Sequence, residues 1–151
     1  MSTTTSISLR PITKDNWEEA ANLEILPEQA GFLTPNVYSI AESKFHDDLW
    51  TFAIYNGETM VGFAMYGQDP ADGRYWIIRF MIDRNHQRRG YGRAAFQKLI
   101  EYMRTIPGIT AINIGYNREN IVAANLYRSF GFVESGIAPW GEQTAVLDLA
   151  R

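Results

Sequence analysis

Residues Gln87 to Phe96, QRRGYGRAAF, form the segment that most constrains how this chain can fold. The segment follows an apolar run, RYWIIRFMID, which predicts a central strand because both of its faces are apolar. It opens a helix that we predict from Gly90 to Arg104. The apolar stripe of this helix consists of Phe96, Leu99, Ile100 and Met103. A buried strand, a short basic loop and a helix therefore follow one another.

Arginine and glycine residues occur together where this helix begins. Arg88, Arg89 and Arg93 supply guanidinium donors, and the glycines at 90 and 92 leave the main chain without a Cβ atom. A helix N-terminus carries about half a positive charge and unpaired amide donors, so the pattern predicts a diphosphate site. The alternative is a solvated basic loop that caps a helix. A Rossmann-type site fits less well, since its three glycines directly follow the strand.

The other segments complete an order of β-α-α-β-β-β-α-β-α-β-β. We predict strands over 6–12, 74–83, 109–116, 132–137 and 144–149, a hairpin over 50–67, and helices over 13–23, 37–45, 90–104 and 118–130. The predicted fold class is mixed α/β, with one mixed sheet of about seven strands and helices on both faces. The length of 151 residues predicts one domain, residues 1–151, with residues 1–5 flexible.

Local signals predict how several of these elements begin and end. We predict a capping box at Asp15 and Glu18, a helix cap at Asn36, a type I′ turn with Asn56 and Gly57 at its centre, and a left-handed residue after the last helix at Gly131. Each of these signals depends only on neighbouring residues.

The composition excludes several classes of function. The net charge of −3 argues against general nucleic-acid binding, which needs a basic domain. The chain has no cysteine, which excludes disulfides, zinc-thiolate sites and a cysteine nucleophile. The start of the sequence lacks the apolar segment of a signal peptide, so we expect none, and no apolar run is long enough to suggest a membrane span. We therefore expect a cytoplasmic protein without membrane or nucleic-acid partners.

A second pattern lies in the predicted helix ENIVAANLYRSF. Asn120 and Tyr127 are seven residues apart, so they share one face about 10 Å apart along the axis. Val122, Leu126 and Phe130 form a neighbouring apolar row. Asn120 is either a helix cap or a ligand contact, and Tyr127 is either an aromatic residue at the core edge or a functional one.

Together the two patterns resemble the GNAT family of acetyl-CoA-dependent N-acetyltransferases. QRRGYG is similar to the family's Q/R-x-x-G-x-G/A motif, and NIVAANLYRSFGF to its Asn-x-x-Ala-x-x-x-Tyr-x-x-x-Gly-Phe helix. The resemblance covers nearly the whole chain and implies the GNAT fold. The segments VGFAMYG, RFMID and FLTPN, the last followed by YSIAE, resemble the bacterial spermine/spermidine acetyltransferases within this family.

The resemblance implies a role for each matching position. Main-chain groups of Phe80, Met81 and Ile82 would pair with the pantetheine arm of acetyl-CoA, where the strand splays from its neighbour. Asn120 would bond coenzyme A near that arm, and Tyr127 would lie beside the thioester sulfur. The residues that would bind the diphosphate are Gln87, Arg88, Arg89, Gly90, Tyr91, Gly92 and Arg93. No metal is implied, and a homodimer is compatible with the family.

The acceptor implied by the closer resemblance is a polyamine such as spermidine or spermine. Such a site needs spaced carboxylates for the ammonium groups and apolar or aromatic walls for the methylenes. The candidate carboxylates are Glu24, Glu28, Asp69 and Glu142, any of which, or a water chain, could take the amine proton. Another small amine or antibiotic, a peptide amine, and a non-catalytic acyl-CoA sensor are the alternatives.

The predicted chemistry is direct attack of the amine on the thioester in a ternary complex, since no cysteine can form an acyl intermediate. A tyrosine phenol, with an ordinary pKa of about 10, is a suitable general acid for the leaving thiolate. Arg79 lies in the strand that the sequence predicts to be buried. Because an unpaired charge is costly to bury, we expect a carboxylate partner for Arg79. A substrate-side role is the alternative.

Overall fold

The computed structural model describes residues 6–25 and 35–149, in which it defines seven strands and four α-helices. The strands are β1 (Ile7–Pro11), β2 (Leu49–Asn56), β3 (Thr59–Gln68), β4 (Tyr75–Ile82), β5 (Ala111–Tyr116), β6 (Val133–Ile137) and β7 (Gln143–Asp148). The helices are α1 (Trp17–Ala21), α2 (Asn36–Ser43), α3 (Tyr91–Arg104) and α4 (Ile121–Ser129). The order agrees with the one predicted. Within the described ranges, no helix is long and apolar enough to cross a membrane.

One sheet contains all seven strands in the order β1-β2-β3-β4-β5-β7-β6, which makes β4 the middle strand, as its apolar faces predicted. Neighbouring strands are antiparallel except β4 and β5, which are parallel. The parallel pair begins with Tyr75 opposite Ile112 and ends with Ile77 opposite Ile114. Beyond Ile77 the two strands diverge, so a gap opens in the middle of the sheet.

Helices cover both faces of the sheet, as predicted. On one face α3 and α4 bury a core that includes Phe96 and Leu99. On the other face, Ala20 of α1 and Ile40 of α2 pack in a second core with Phe63 of β3. All four residues of the predicted apolar stripe of α3 are buried. Burial on both faces explains why β4 lacks the alternation of a half-exposed strand.

An extra residue in β4 changes the faces that its side chains reach. Met65 of β3 pairs with Arg79, and the next residue, Tyr66, pairs with Ile77, so Ile78 has no partner of its own. Ile77 consequently belongs to the core under α3 and α4, while Ile78 packs against the core under α1 and α2. This bulge lies beside the gap between β4 and β5.

Two predicted helix caps are wrong. Helix α1 is preceded by Asn16 rather than Asp15, and Asn16 Oδ1 accepts a hydrogen bond from Thr13 N at 2.7 Å instead of capping the helix. Asn36 is the first residue of α2, and its buried side chain donates to Ala20 O at 3.0 Å. Both side chains bond main-chain groups outside their own helix, which a local pattern cannot reveal.

The predicted type I′ turn is also wrong. Asn56 pairs with Thr59, so the central residues of the turn are Gly57 and Glu58. Gly57 has a φ of 60°, whereas Glu58 keeps a negative φ. Glycine at the first central position is typical of a type II′ turn. Asn56 Oδ1 instead accepts a hydrogen bond from Ser6 N at 2.8 Å, which ties the turn to β1.

Candidate active site

The gap between β4 and β5 contains a cavity of about 200 Å³, which we call the groove cavity. Phe80, Met81 and Ile82 of β4 line one side of it. Val122 and Leu126 of α4 line the other side. Val122 is 75% exposed, whereas Leu126 and Phe130 of the same predicted row also pack against the core under α3 and α4.

The loop after β4 reverses sharply before α3. Gln87 Nε2 donates to Ile82 O at 2.9 Å, which ties the loop to the end of the strand. Arg88 has a φ of 64° and Gly90 has a φ of 80° immediately before α3. A left-handed conformation is rare for a non-glycine residue, so the reversal is imposed on Arg88 by its surroundings. It brings Gln87, Arg88 and Gly92 to the groove cavity.

The positive charge near the start of α3 is not neutralised by neighbouring carboxylates. Within the described residues, none of the ion pairs includes Arg88, Arg89 or Arg93. Asn56 Nδ2 donates a hydrogen bond to the hydroxyl of Tyr91 at 3.1 Å. The main chain of Tyr91, rather than its side chain, is therefore available to bind an anion. The arrangement suits a diphosphate, and the roles of these residues stay a prediction.

Asn120 and Tyr127 both line the groove cavity. Asn120 Oδ1 accepts a hydrogen bond from Ala123 N at 3.2 Å, so this residue does cap α4. The buried Tyr127 ring packs against Phe96 and Tyr116, with centroid distances of 5.2 and 5.4 Å. Asn120 is therefore a helix cap, and Tyr127 is an aromatic residue of the core. Because both residues also line the groove cavity, either side chain could still contact a ligand.

The phenol of Tyr127 is held in its neutral form. Burial raises the pKa of Tyr127 above its ordinary value of about 10, and nearby Tyr116 and Glu142 raise it further. The hydroxyl therefore keeps its proton across the physiological range. Tyr127 can donate a proton to a leaving group, and it is unsuited to act as a base.

A second cavity, the acidic cavity, has a volume of about 710 Å³ and lies beside the first half of β4. Carboxylates of Asp48, Asp69 and Glu142 line it, together with the aromatic rings of Trp76 and Trp140. No group of three His, Asp or Glu side chains in the described part of the chain could hold a metal ion. Several anions with aromatic walls are what an extended cation requires.

Asp48 lines the acidic cavity, although the sequence prediction did not include it. It precedes β2, and its main-chain oxygen accepts a hydrogen bond from Gln68 N at 3.0 Å. This pairing places Asp48 across the hairpin from Asp69. Counting outward from the predicted turn would not have located Asp48, because the turn is displaced by one residue and the register shifts again between Ile54 and Tyr55.

The four predicted acceptor carboxylates have different surroundings. Asp69 and Glu142 line the acidic cavity, as a polyamine site would require. Glu24 does not line it and instead forms an ion pair with Arg84 at 3.7 Å. Glu28 lies outside the described residues. Of the three that lie in the described residues, Asp69 and Glu142 are therefore placed where an acceptor could reach them.

A small cavity of about 80 Å³, the junction cavity, links the two regions. It shares Asn120 and Tyr127 with the groove cavity. It shares Arg79 and Glu142 with the acidic cavity. A donor in the groove and an acceptor in the acidic cavity would consequently meet between Tyr127 and Glu142.

Arg79 lies where the junction and acidic cavities meet. Its Nη1 donates to Ile78 O at 2.7 Å, while its buried Nε has no hydrogen-bond partner among residues 6–25 and 35–149. Burial lowers the pKa of Arg79, and the charges of Glu42 and Glu142 oppose that shift. The expected carboxylate partner does not form an ion pair with Arg79 among the described residues. The alternative of a substrate-side role gains support.

Known proteins share this architecture. Residues 13–132 match the model of the acetyltransferase (GNAT) family. The chain is 28% identical to the spermine/spermidine N(1)-acetyltransferase of Bacillus subtilis (strain 168) over 151 residues, which cover 95% of this chain and 99% of that protein.

Solved structures show the same fold. The spermidine N-acetyltransferase from Vibrio cholerae in complex with CoA and spermine superposes with a TM-score of 0.75 at 18% identity, covering 94% of this chain and 95% of that one. The aminoglycoside acetyltransferase AAC(6')-Ib in complex with coenzyme A gives a TM-score of 0.76 at 18% identity, covering 95% of each chain. The predicted fold class is therefore confirmed.

Proposed function

Because the chain belongs to the acetyltransferase (GNAT) family, we propose that it transfers the acetyl group of acetyl-CoA to a primary amine of a polyamine such as spermidine or spermine. One observation carries the choice of acceptor. The acidic cavity combines Asp48, Asp69 and Glu142 with aromatic walls, and it meets the groove cavity through the junction cavity. The Bacillus subtilis relative named above supports the same acceptor class.

The groove cavity suits coenzyme A as the acyl carrier. Beyond Ile77 the gap leaves the β5 side of the β4 main chain open, where an amide-containing pantetheine arm can pair as a strand would. Val122 and Leu126 offer apolar contacts to the same arm. Arg88 and Arg89 lie near the start of α3, where a diphosphate is favoured.

Different groups of the chain perform different parts of the reaction. A thioester supplies an activated acyl group, and main-chain amides near Met81 or Ile82 can stabilise the charge that develops on its oxygen. The carboxylates of the acidic cavity bind the distant ammonium groups of the acceptor. Tyr127 protonates the leaving sulfur. No cysteine exists to form an acyl-enzyme, so the amine attacks the thioester directly.

A panel of amines tests the acceptor. Thiol release from acetyl-CoA would be followed with spermidine, spermine, a monoamine of similar reach, an aminoglycoside and a peptide with a free N-terminus. We expect kcat/KM to be at least about tenfold higher for the polyamines, and to fall with ionic strength because salt screens ammonium–carboxylate contacts. A tenfold preference for any other amine would contradict the polyamine assignment, and binding of acetyl-CoA without thiol release would favour a sensor.

A second acceptor class is favoured by Arg79. Arg79 lines the acidic and junction cavities, where its guanidinium group could bind a carbonyl or carboxylate beside the reacting amine. A peptide or amino-acid amine has such a group, and a polyamine does not. In Arg79→Gln, KM should rise for a peptide acceptor, whereas removal of a cation should leave KM for spermidine unchanged or lower.

A further inference from the structure

Glu142 stands at the point that the acceptor amine must reach. It lines both the acidic cavity and the junction cavity, which Tyr127 also lines. Asp48 and Asp69 line the acidic cavity alone. Of these three carboxylates, Glu142 is therefore the one placed between the acceptor space and the general acid.

The position of Glu142 is held by two neighbours. Trp140 Nε1 donates to Glu142 Oε1 at 2.7 Å. On β5, a Cβ atom added to Gly115 would lie 2.9 Å from the same Oε1, closer than atoms can approach without a shift. Gly115 does not have a positive φ, so its conformation does not require glycine. A Cβ atom at this position would instead displace the carboxylate of Glu142, which is the end of a flexible side chain.

We propose that Glu142 is the carboxylate that receives the proton of the reacting ammonium group, and that Gly115 and Trp140 are positioning residues that hold it there. This inference rests on the proposed acetyl transfer to an amine. A hydrogen-bonded carboxylate at a fixed position binds the ammonium group and accepts its proton, which leaves the nitrogen neutral for attack. Glu142 then passes this proton to water through the open acidic cavity.

The remaining steps account for every bond and proton of the reaction. The neutral nitrogen forms a bond to the thioester carbon, and the carbon–sulfur bond breaks. Tyr127 gives its proton to the leaving sulfur and regains one from the nitrogen of the new amide. Each turnover thus converts an ammonium group and a thioester into an amide, a thiol and one released proton.

Other charged and titratable groups face Glu142. Arg79 lies on β4, and Tyr127 lies on α4. Arg118 and Glu119, in the loop between β5 and α4, share a shallow cavity with Glu142 and Trp140 on the outer side. Tyr116 on β5 also lines the junction cavity, and Asp48 and Asp69 line the acidic cavity with Glu142. The variants in both experiments leave all of these groups in place.

The first experiment measures pH profiles of kcat/KM for Glu142→Gln with spermidine and saturating acetyl-CoA. Near neutral pH we expect a loss of about 10²-fold, the usual contribution of positioned proton transfer. The loss should shrink as pH approaches the amine pKa of about 10, where the amine is already neutral. Glu101→Gln is the matched control and should match wild type, because the exposed Glu101 lies on α3 and lines none of the cavities described above. A constant loss across pH, or no loss, would overturn the proposal.

The second experiment is a double-mutant cycle between Gly115→Ala and Glu142→Gln. Alone, Gly115→Ala should lower kcat/KM about tenfold, because it displaces the carboxylate by a fraction of an ångström or more. In the Glu142→Gln background it should have little further effect, since the group that it displaces no longer accepts a proton. Trp140→Phe should behave in the same way. Equal losses in both backgrounds would mean that Gly115 and Trp140 act independently of Glu142, contrary to the proposal.

Different results would reject the acetyltransferase activity and the role of Glu142. A wild-type protein that releases no thiol with any amine of the panel rejects the acetyltransferase assignment and this proposal with it. Wild-type turnover of spermidine that persists undiminished in Glu142→Gln rejects only the role of Glu142. Melting temperatures of all variants within a few degrees of wild type show that the comparisons concern folded proteins.

Discussion

The groove cavity and the acidic cavity meet within one small space, yet they are built in opposite ways. Residues 80–92, a continuous stretch, supply most of the groove's polar lining, and α4 completes it. Five separate segments, near residues 48, 68, 78, 115 and 141, supply the acidic cavity. The lining of the groove cavity is thus encoded largely in a local pattern, whereas the lining of the acidic cavity depends on sheet register and loops. Substitutions on the two sides should change different kinetic constants.

The largest effect is expected at Tyr127, which belongs to the junction between the two sides. Tyr127→Phe should lower kcat by about 10²-fold or more, because positioned proton transfer typically contributes that much. The affinity for acetyl-CoA should change little. Steady-state kinetics with saturating acetyl-CoA measures this.

Tyr116→Phe provides the matched control for that result. Its ring packs beside Tyr127, and its hydroxyl donates to Glu134 Oε2 at a long distance of 3.4 Å. It should retain near wild-type kcat. Wild-type turnover in Tyr127→Phe would remove Tyr127 from the chemistry.

Removing charge on the groove side should weaken acetyl-CoA binding alone. In the double variant Arg88→Ala/Arg89→Ala, the Kd measured by titration calorimetry should rise by about tenfold or more, since charge-assisted hydrogen bonds are lost. The salt dependence of Kd should become weaker. KM for the amine should stay close to wild type.

A companion variant separates charge from main-chain conformation. Arg88→Asn removes the charge but tolerates the left-handed φ of 64° better than alanine does. It should weaken acetyl-CoA binding as the charge predicts, with no loss of thermal stability. Binding that is indifferent to both arginines would show that the groove holds no diphosphate.

On the acidic side, Asp48→Asn should raise KM for spermidine about three- to tenfold, because one distant ammonium group loses a partly exposed carboxylate. Kd for acetyl-CoA should not change. The adjacent, exposed Asp47 does not line the cavity, so Asp47→Asn is its matched control. Equal effects of the two substitutions would indicate long-range attraction rather than a binding contact.

The smallest effect concerns stability at high pH. Burial raises the pKa of Tyr127, so the folded protein keeps this phenol protonated where the unfolded chain ionises, above pH of about 10. The unfolded state then binds fewer protons, and the free energy of unfolding falls by about 1 kcal/mol per pH unit for this residue. Tyr127→Phe should lose stability less steeply between pH 10 and 11 in urea titrations. Parallel curves would mean that Tyr127 is not isolated from water.

Much of the fold could be predicted because its signals are local or periodic. The stripe of α3 is buried as its spacing predicted, and Gly131 follows α4 with a φ of 98°, as the residue after that helix. The errors lie where a side chain bonds a distant segment. Asn36 looked like a cap, but it is buried and bonds Ala20, and Asn56 bonds Ser6 instead of occupying the turn.

The sequence by itself determined the mixed sheet, the strand–loop–helix unit with its arginines, and the helix that presents Asn120 and Tyr127. These depend on residues within one or two turns of each other, so periodicity and main-chain geometry suffice. Only the tertiary structure decided that Glu24 pairs with Arg84 while Asp48 joins Asp69 in one cavity.

The placement of Glu142 shows the physical reason. Its carboxylate is positioned by the indole of Trp140 and by the absence of a Cβ atom at Gly115, which lies on a strand paired with β7. Distances between segments that are far apart in the chain are set by strand register and side-chain packing. Neither is visible in the residue types alone, so the acceptor side of the site had to come from the folded structure.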